Sequence, residues 1–435
     1  MTDLIVKQTK SLVGVVRAPP SKSLTHRALI AATISEGSSR IVNPLFCDDT
    51  IATLEACQML GAVISRKEQY SLEIIGHSKP LTPGDVINCR DSASTMRFIA
   101  PICSLADGIS VLTGGESLRR RPMDPLLSAL MQLGVLCYST KSDGRPPLVI
   151  FGGGIAGGEA FIPGDVSSQF ISGLLFASPL GKTDVDIILS SPLESKPYVE
   201  MTMEILRKHK IKFEVQSDFS KFHVPGKQSY SPFNHVVEGD FSSSAFLLAA
   251  AAITDSNVKI LGLQSNSVQG DRIIIELFRK MGVEIKEGKD FVEVQSAMDG
   301  LRPIDVDLRD NPDLVPVLAV VSCFASGKSV IRGVKRLTFK ESNREAAIFE
   351  ELTKMGAKIN ASREIIEIEG VRTLRGGELD SHGDHRIAMM CIVAALRAAG
   401  RTTIRGVDCI NKSYPNFVKD IAILGAEVNE RELNR

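Results

Sequence analysis

Six strongly apolar segments of the chain each follow a short polar stretch. They begin after polar starts at Ser23, Ser94, Ser168, Ser243, Asp313 and Asp384, which lie 70 to 75 residues apart. Segments that are apolar on nearly all sides are typical of buried helices, and a hydroxyl or carboxylate side chain can cap the first turn. The pattern therefore predicts six similar units, each with a central buried helix.

The ends of the predicted outer helices repeat at the same spacing. Each end has the form Leu-Gly or Met-Gly except the third, and the residues concerned are Gly61, Gly134, Lys210, Gly282, Gly356 and Gly425, at intervals of 69 to 76 residues. The residue just beyond a helix commonly adopts the left-handed conformation, which suits glycine. We therefore expect a strained turn at Lys210.

A chain of 435 residues exceeds the usual size of one hydrophobic core, so six units predict two domains of three units each. The polar stretch Ser229–His235 and the pair Pro19–Pro20 are the predicted crossings. One domain would cover 20–235, and the other 1–19 together with 236–435. If the buried helices of each domain run parallel, their N-termini should face a common cleft that attracts a small anion.

The segment Ala18–Ile30 fits such an anion site. Two prolines lead into a helix whose first turns carry Ser21, Lys22, Ser23 and Arg27. Free N–H groups, the helix dipole, hydroxyls and two cations would all favour a phosphate or carboxylate. Taken alone, the segment fits equally well a capped helix with solvated charges, and the repetition along the chain is what favours binding.

Composition excludes several classes of protein. The chain has 51 basic and 51 acidic residues, which argues against a general nucleic-acid or membrane-surface binder. Eight cysteines without a Cys-x-x-Cys pair lie mostly in apolar runs, as reduced core thiols do. The N-terminus lacks the apolar region of a signal peptide and no apolar run reaches spanning length, so we expect a cytoplasmic protein.

Three short motifs are interpreted as structural. Gly152–Gly157 fits a dinucleotide fingerprint but leads into a predicted strand, and Ser326–Ser329 resembles the end of a P-loop but follows a helix. His382, Asp384 and His385 could ligate a metal, yet no further His or Cys pair supports a site, and a capped helix start is favoured. We therefore expect neither a metal nor a cofactor.

Cations recur at the helix starts and in loops of the same phase: Lys22, Arg27, Arg97, Arg121, Lys340, Arg344, Arg386 and Lys412. Each alone would more commonly be a solvated surface charge, whereas their joint placement favours a shared anion site. Asp313 and Glu341 are the carboxylates placed for proton transfer. Their structural alternatives are a helix cap for Asp313 and an ion pair for Glu341.

The chain resembles the enolpyruvylshikimate-phosphate synthase family, the 3-phosphoshikimate 1-carboxyvinyltransferases. The resemblance covers essentially the whole chain and is carried in order by Pro20-Ser-Lys-Ser-x-x-x-Arg27, Ser94-Thr-x-Arg97, Arg121-Pro, Ser167-Ser-Gln169, Ser195-Lys-Pro-Tyr198, Pro312-Asp313, Lys340-Glu-Ser-x-Arg344, Asp384-His-Arg386 and Lys412. It implies an α/β (α+β) fold of two similar domains, each of three βαβαββ-like units, that close on substrate.

The resemblance also implies the reaction: transfer of the enolpyruvyl group of phosphoenolpyruvate to the 5-hydroxyl of shikimate 3-phosphate, with release of phosphate and without a cofactor. It assigns to phosphoshikimate the residues Lys22, Ser23, Arg27, Ser167, Ser168, Gln169, Ser195, Asp313 and Lys340. It assigns to phosphoenolpyruvate the residues Lys22, Ala93, Ser94, Arg121, Gln169, Arg344, Arg386 and Lys412. Asp313 would accept the hydroxyl proton, and Glu341 with Lys22 would protonate the methylene carbon.

Several departures and alternatives stay open at the level of sequence. Asp91-Ser92-Ala93-Ser94 replaces a usual Asn-Ala/Ser-Gly-Thr, which predicts weak inhibition by the family's inhibitor glyphosate, and Arg336 is left without a role. The sister enzyme that acts on UDP-N-acetylglucosamine is the alternative function, although Gly114–Ser117 lacks its reactive cysteine. A non-catalytic repeat protein or an RNA-end-processing relative is disfavoured by the neutral charge. We expect a monomer.

Overall fold

The computed structural model describes residues 2–68, 70–297, 299–362 and 364–432. The chain forms two compact units: the terminal unit, Met1–Pro19 with Glu238–Arg435, and the middle unit, Pro20–Val237. The second crossing lies two residues beyond the predicted boundary at 235/236. The reason is that His235–Val236 pairs with Ile41–Val42 in parallel, and the Val237 N–H donates to the Val42 carbonyl at 2.9 Å.

The α-helices alternate between buried and outer positions. In chain order they are α1 (Lys22–Thr33), α2 (Asp48–Met59), α3 (Ala93–Cys103), α4 (Glu116–Arg119), α5 (Asp124–Gln132), α6 (Ser168–Ala177), α7 (Lys196–Lys208), α8 (Phe241–Ile253), α9 (Ile274–Lys280), α10 (Val315–Ser322), α11 (Arg344–Lys354), α12 (His385–Leu396) and α13 (Phe417–Ile423). Short 3₁₀ turns are Ser178–Leu180, Gly270–Ile273, Pro312–Leu314, Lys335–Phe339 and Val407–Lys412.

The strands are short. In chain order they are β1 (Thr2–Lys7), β2 (Val13–Arg17), β3 (Gly37–Val42), β4 (Val63–Glu68), β5 (Ser71–Gly76), β6 (Ile87–Asn88), β7 (Ile109–Thr113), β8 (Cys137–Ser139), β9 (Leu148–Phe151), β10 (Gly158–Ile162), β11 (Val185–Leu189), β12 (Glu214–Val215), β13 (Lys221–Val224), β14 (His235–Val236), β15 (Asn257–Leu261), β16 (Glu284–Glu287), β17 (Phe291–Gln295), β18 (Asp305–Asp307), β19 (Lys328–Arg332), β20 (Lys358–Ser362), β21 (Ile365–Glu369), β22 (Leu374–Arg375), β23 (Glu378–Asp380), β24 (Ala398–Ala399), β25 (Arg401–Arg405) and β26 (Val428–Glu432).

The described residues form six four-stranded sheets of one topology, three in each unit. Their strand orders are β14-β3-β5-β4, β6-β7-β9-β8 and β10-β11-β13-β12 in the middle unit, and β2-β15-β17-β16, β18-β19-β21-β20 and β23-β25-β1-β26 in the terminal unit. In each, the first pair is parallel and the next two are antiparallel. With the intervening helices this is the βαβαββ order, which confirms the predicted α+β fold.

The apolar segments of the sequence form the centre of each unit. In the terminal unit α8, α10 and α12 are buried along their whole length and contact one another, and in the middle unit α3 contacts both α1 and α6. Side chains cap five of these helices, by Ser21, Ser92, Ser167, Asp240 and Asp384. Three caps therefore lie two or three residues before the predicted starts, because Ser21, Ser92 and Asp240 accept the N–H groups of Leu24, Thr95 and Ser243.

The residues that follow the outer helices have the predicted left-handed backbone. The five glycines at these positions have φ between 82° and 108°, and Lys210 has φ 65° after α7. Lys210 thus adopts the same left-handed conformation as the glycines, although a residue with a Cβ atom disfavours that conformation. The repeated sequence pattern is thus confirmed at all six helix ends, and the strain at Lys210 has a structural basis.

The rejected motifs have the expected local structure. Gly152–Gly157 leads into β10, and Ser326–Gly327 is a turn that leads into β19. Across the described ranges, no helix combines the length and hydrophobicity needed to cross a membrane.

Candidate active site

Predicted site residues of the middle unit gather at the N-terminal ends of α1, α3 and α6 and beside α7. We call this group the Lys22 cluster; it comprises Lys22, Ser23, Arg27, Ala93, Ser94, Ser167, Ser168, Gln169 and Ser195. The polar caps of these helices, which the sequence pattern requires, are what bring the residues to the helix ends.

Direct hydrogen bonds join the helix ends of the Lys22 cluster. Gln169 Nε2 donates to Ser94 Oγ at 2.7 Å, and Arg97 Nη1 donates to Gln169 Oε1 at 2.9 Å and to Ser167 Oγ at 3.1 Å. The guanidinium of Arg97 also lies 4.9 Å from the centre of the Phe170 ring. Arg97 therefore fixes the start of α6 against the start of α3.

Arg27 is the buried cation of this cluster. Its guanidinium donates to Thr202 Oγ1 at 2.9 Å, to the Ser23 carbonyl at 2.9 Å and to the Tyr198 carbonyl at 2.7 Å. Burial lowers the pKa of Arg27 to about 10, so the group is charged at neutral pH. Within the described part of the chain these partners are neutral oxygens and no carboxylate pairs with Arg27, which leaves an uncompensated buried charge that suits an anionic ligand.

The other members of the cluster differ in their surroundings. Lys22 Nζ forms an ion pair with Asp49 Oδ2 at 2.8 Å. Ser195 is 3% exposed, has a left-handed backbone with φ 57° and precedes α7, where the Tyr198 N–H donates to its carbonyl. Arg121 is buried in the loop between α4 and α5.

The predicted residues of the terminal unit form a second group, the Asp313 cluster, which comprises Asp313, Lys340, Glu341, Arg344, Arg386 and Lys412. Asp313 lies in the 3₁₀ turn before α10 rather than at a helix cap. Its carboxylate lies 2.8 Å from Arg344 Nη1, 3.0 Å from Arg386 Nη2 and 3.3 Å from Lys340 Nζ. The structure thus brings one carboxylate against three cations.

Glu341 occupies the other side of Arg344. Its Oε2 accepts from Arg344 Nη2 at 2.7 Å, and its Oε1 lies 3.7 Å from Lys412 Nζ. Asp384 completes the arrangement, because its carboxylate accepts from Arg344 Nε at 2.7 Å while it caps α12. Arg344 is therefore held by three carboxylates and is only 1% exposed.

The ionisation of the Asp313 cluster follows from these contacts. Burial alone would raise the pKa of Asp313, but Arg386, Lys340 and Arg344 together hold it well below its ordinary value. Burial lowers the pKa of Lys340 to about 8, against the opposing effect of Asp313. Burial would also lower the pKa of Arg344, yet Asp384, Glu341 and Asp313 raise it. Asp313 is therefore an ionised carboxylate in the free protein.

The sequence pattern places Arg97 among the cations of a shared anion site and Asp384 at a helix start, but it gives neither of them a substrate and gives Asp49 no role. The pattern does not reveal the partners of these side chains. Asp49 had the weakest signal, an acidic pair at the start of an outer helix. Their roles depend on contacts with residues 27 to 72 positions away, which no local pattern encodes.

The possible metal ligands of the sequence do not converge. His382 Nε2 lies 2.7 Å from Glu351 Oε1, whereas Asp384 is committed to Arg344. Glu350, Glu351 and His382 do bring three ligand atoms together, but Lys354 Nζ lies 2.8 Å from both carboxylates. An ammonium group in that position makes the group an ion-pair network.

Comparisons with known proteins agree with this chemistry. A sequence profile of EPSP synthase (3-phosphoshikimate 1-carboxyvinyltransferase) matches residues 6–421. Two similar relatives are the 3-phosphoshikimate 1-carboxyvinyltransferases of Methanocaldococcus jannaschii, 43% identical over 98% of this chain and 99% of the relative, and of Methanocella arvoryzae, 42% identical over 98% and 100%. The solved EPSP synthase of Acinetobacter baumannii superimposes with a TM-score of 0.83 at 26% identity, covering 99% of this chain and 100% of that one.

These matches extend over both units and favour the phosphoshikimate enzyme over the sister enzyme that uses UDP-N-acetylglucosamine. The predicted resemblance is therefore confirmed, and with it the enzyme class and the pathway. The chain belongs to the EPSP synthase (3-phosphoshikimate 1-carboxyvinyltransferase) family, a transferase family of aromatic amino-acid biosynthesis.

Proposed function

We propose that the Lys22 cluster and the Asp313 cluster form one site for shikimate 3-phosphate and phosphoenolpyruvate. Each substrate carries a phosphate and a carboxylate, so together they bring about six negative charges at neutral pH. Placing them side by side requires a dense set of cations and oriented N–H groups. The uncompensated buried guanidinium of Arg27 is the observation that carries the proposal.

Phosphoshikimate would be held mainly at the helix starts of the middle unit. The residues proposed for it are Lys22, Ser23, Arg27, Ser167, Ser168, Gln169 and Ser195, with Asp313 and Lys340 from the terminal unit. The hydroxyls and helix N-termini suit its phosphate, and Arg27 supplies the charge.

Phosphoenolpyruvate would be held in part by cations that now pair with carboxylates, namely Lys22, Arg344, Arg386 and Lys412. The proposed set is Lys22, Ala93, Ser94, Arg121, Gln169, Arg344, Arg386 and Lys412. When phosphoenolpyruvate binds Arg344 and Arg386, its negative charge offsets two of the cations that keep the pKa of Asp313 low. The pKa of Asp313 should therefore rise on binding, which makes its carboxylate a better base.

The reaction is then an addition followed by an elimination. The 5-oxygen of phosphoshikimate attacks C2 of phosphoenolpyruvate while Asp313 accepts the hydroxyl proton. Glu341 is an ion-paired carboxylate in the free protein, so it must first take up a proton from solvent as phosphoenolpyruvate occupies Arg344 and Lys412. Assisted by Lys22, it then delivers that proton to the methylene carbon. Loss of a proton from that carbon and cleavage of the bond between C2 and the phosphate oxygen then release phosphate and the enolpyruvyl ether.

Because the Lys22 cluster and the Asp313 cluster belong to different units and each substrate is assigned residues from both, the ligands would bridge the units and favour a closed state. Small-angle X-ray scattering tests this step. Saturating phosphoshikimate, verified by calorimetry, should reduce the radius of gyration, and an unchanged radius contradicts closure. We further propose a cytoplasmic monomer that glyphosate inhibits weakly.

The acceptor assay tests the function itself. Phosphate release from phosphoenolpyruvate should require shikimate 3-phosphate and should not occur with UDP-N-acetylglucosamine. Turnover of only the sugar nucleotide would overturn the assignment.

A further inference from the structure

A chain of buried hydroxyl groups and one histidine connects three helices of the middle unit. His26 Nδ1 lies 2.7 Å from Thr53 Oγ1, Thr53 Oγ1 lies 2.7 Å from Thr95 Oγ1, and Thr95 Oγ1 lies 2.7 Å from Ser92 Oγ. These residues belong to α1, α2, α3 and the cap of α3, and none is more than 1% exposed. In such dry surroundings a buried N–H or O–H donor without an acceptor is costly, so the donors of this network must be paired.

The hydrogen bonds of this chain run in one direction. Thr95 donates to Ser92 and Thr53 donates to Thr95, so the His26 ring supplies the Nδ1–H that Thr53 accepts. His26 Nε2 has no hydrogen-bond partner among the residues that the structure describes, and in this tautomer it buries only a lone pair. The other tautomer would bury an unpaired N–H. Burial lowers the pKa of His26 to about 3, so the ring adds no charge near the site.

This hydrogen-bonded network ends at groups that belong to the proposed site. Thr53 lies one helical turn after Asp49 on α2, and the carboxylate of Asp49 holds Lys22 Nζ at 2.8 Å. Ser92 accepts the Thr95 N–H at 3.2 Å and so forms the cap that precedes Ala93 and Ser94. The same buried bonds therefore fix both the anchor of Lys22 and the first turn of α3.

We propose that His26, Thr53 and Thr95 are positioning residues of the transferase site, which set the start of α3 relative to Lys22. They act through Lys22 and Ser94, and the inference rests on the proposed assignment of those two residues to phosphoenolpyruvate. Thr53 is the central link, because it bonds to both His26 and Thr95. A methyl group in place of its hydroxyl leaves a buried donor on His26 without its acceptor, and small displacements of positioning groups have large effects on rate.

Substitution of Thr53 separates positioning from mere stability. We expect Thr53→Val to raise KM for phosphoenolpyruvate and to lower kcat/KM about 10- to 100-fold. Thr53→Ser keeps the hydroxyl and should stay within about threefold of wild type. Thr33→Val is the matched control: Thr33 lies in α1, is 3% exposed, and its hydroxyl donates to the Leu29 carbonyl at 2.8 Å at the far end of the helix. That variant should lose Tm and keep wild-type KM.

A double substitution tests whether the hydrogen-bonded network of His26, Thr53 and Thr95 acts as a unit. Thr53→Val and Thr95→Val together should reduce kcat/KM no more than the stronger single variant does, since both break the same chain. Multiplying effects would overturn the proposal, and so would a Thr53→Val variant that loses Tm only. Lys22→Met shows which of the two proposals is wrong if the experiment fails. Unchanged kinetics of Lys22→Met overturn both the site assignment and the positioning role. Impaired kinetics of Lys22→Met together with normal kinetics of Thr53→Val overturn the positioning role alone.

Discussion

Asp313→Asn should abolish most of the turnover while leaving substrate binding intact. The substitution keeps the shape of a side chain that lies 2.8 Å from Arg344, 3.0 Å from Arg386 and 3.3 Å from Lys340. The amide cannot accept the hydroxyl proton, and loss of a general base lowers kcat by about 10²- to 10⁴-fold. Because the three cations lose a competing anion, KM for phosphoenolpyruvate should fall or stay unchanged.

The same geometry predicts a loss of stability. Removing one partner of a buried ion pair costs about 3–5 kcal/mol, since the cations are left uncompensated. Turnover should therefore be measured well below the Tm of the variant, with phosphoshikimate binding followed by calorimetry.

Asp271→Asn is the matched control. Asp271 is a buried carboxyl of the same unit, it accepts a hydrogen bond from Asn311 Nδ2 at 3.0 Å, and its pKa is raised by burial and by Asp313. That control should keep kcat close to wild type. Near-normal kcat in Asp313→Asn would refute the role of Asp313 as the base.

Three further variants probe charge, strain and pocket shape. Burial lowers the pKa of Lys340 to about 8, so kcat/KM for phosphoshikimate should fall as the pH rises through 8, and Lys340→Arg should abolish this pH dependence. Between pH 8 and the ordinary pKa of lysine, the folded state binds fewer protons at this position than the unfolded chain does. The contribution of Lys340 to the free energy of unfolding therefore rises with pH in this range. Lys210→Gly should relieve the left-handed turn and raise stability by about 1 kcal/mol, or roughly 2–4 °C in Tm; an unchanged or lower Tm contradicts the strain. Ala93→Gly removes a methyl group that is 5% exposed at the start of α3 and should lower the ratio of the glyphosate inhibition constant to KM for phosphoenolpyruvate by roughly 5- to 150-fold, whereas an unchanged ratio defeats the steric reasoning.

The repeat could be predicted from sequence because it depends on local chemistry. Capped apolar helices and left-handed residues after the outer helices leave signals within a few residues, and even Lys210 is recognisable by its place in the series. The pairing of strands from distant parts of the sequence could not be predicted in this way. β1, β2 and β14 each complete a sheet whose other strands lie far away in sequence, and their short, ordinary patterns do not indicate the partner.

The candidate site shows the same division. Positions such as Arg27, Arg344 and Arg386 could be selected by phase and motif, but their electrostatic state could not. Arg27 faces neutral oxygens, whereas Arg344 is surrounded by carboxylates with which an anionic ligand must compete. Only the packing of the folded chain determines this difference. The network through His26 and Thr53 was likewise hidden, because each member looks like an ordinary residue of a helix.

A crystal structure with shikimate 3-phosphate and phosphoenolpyruvate bound to the Asp313→Asn variant tests the central claim most directly. We predict that the phosphate of phosphoshikimate contacts Arg27 and Ser23, that residue 313 lies within hydrogen-bond distance of the 5-hydroxyl, and that Arg344 and Arg386 contact phosphoenolpyruvate. Substrates held by residues of one unit alone, with residue 313 remote from the 5-hydroxyl, would contradict the account.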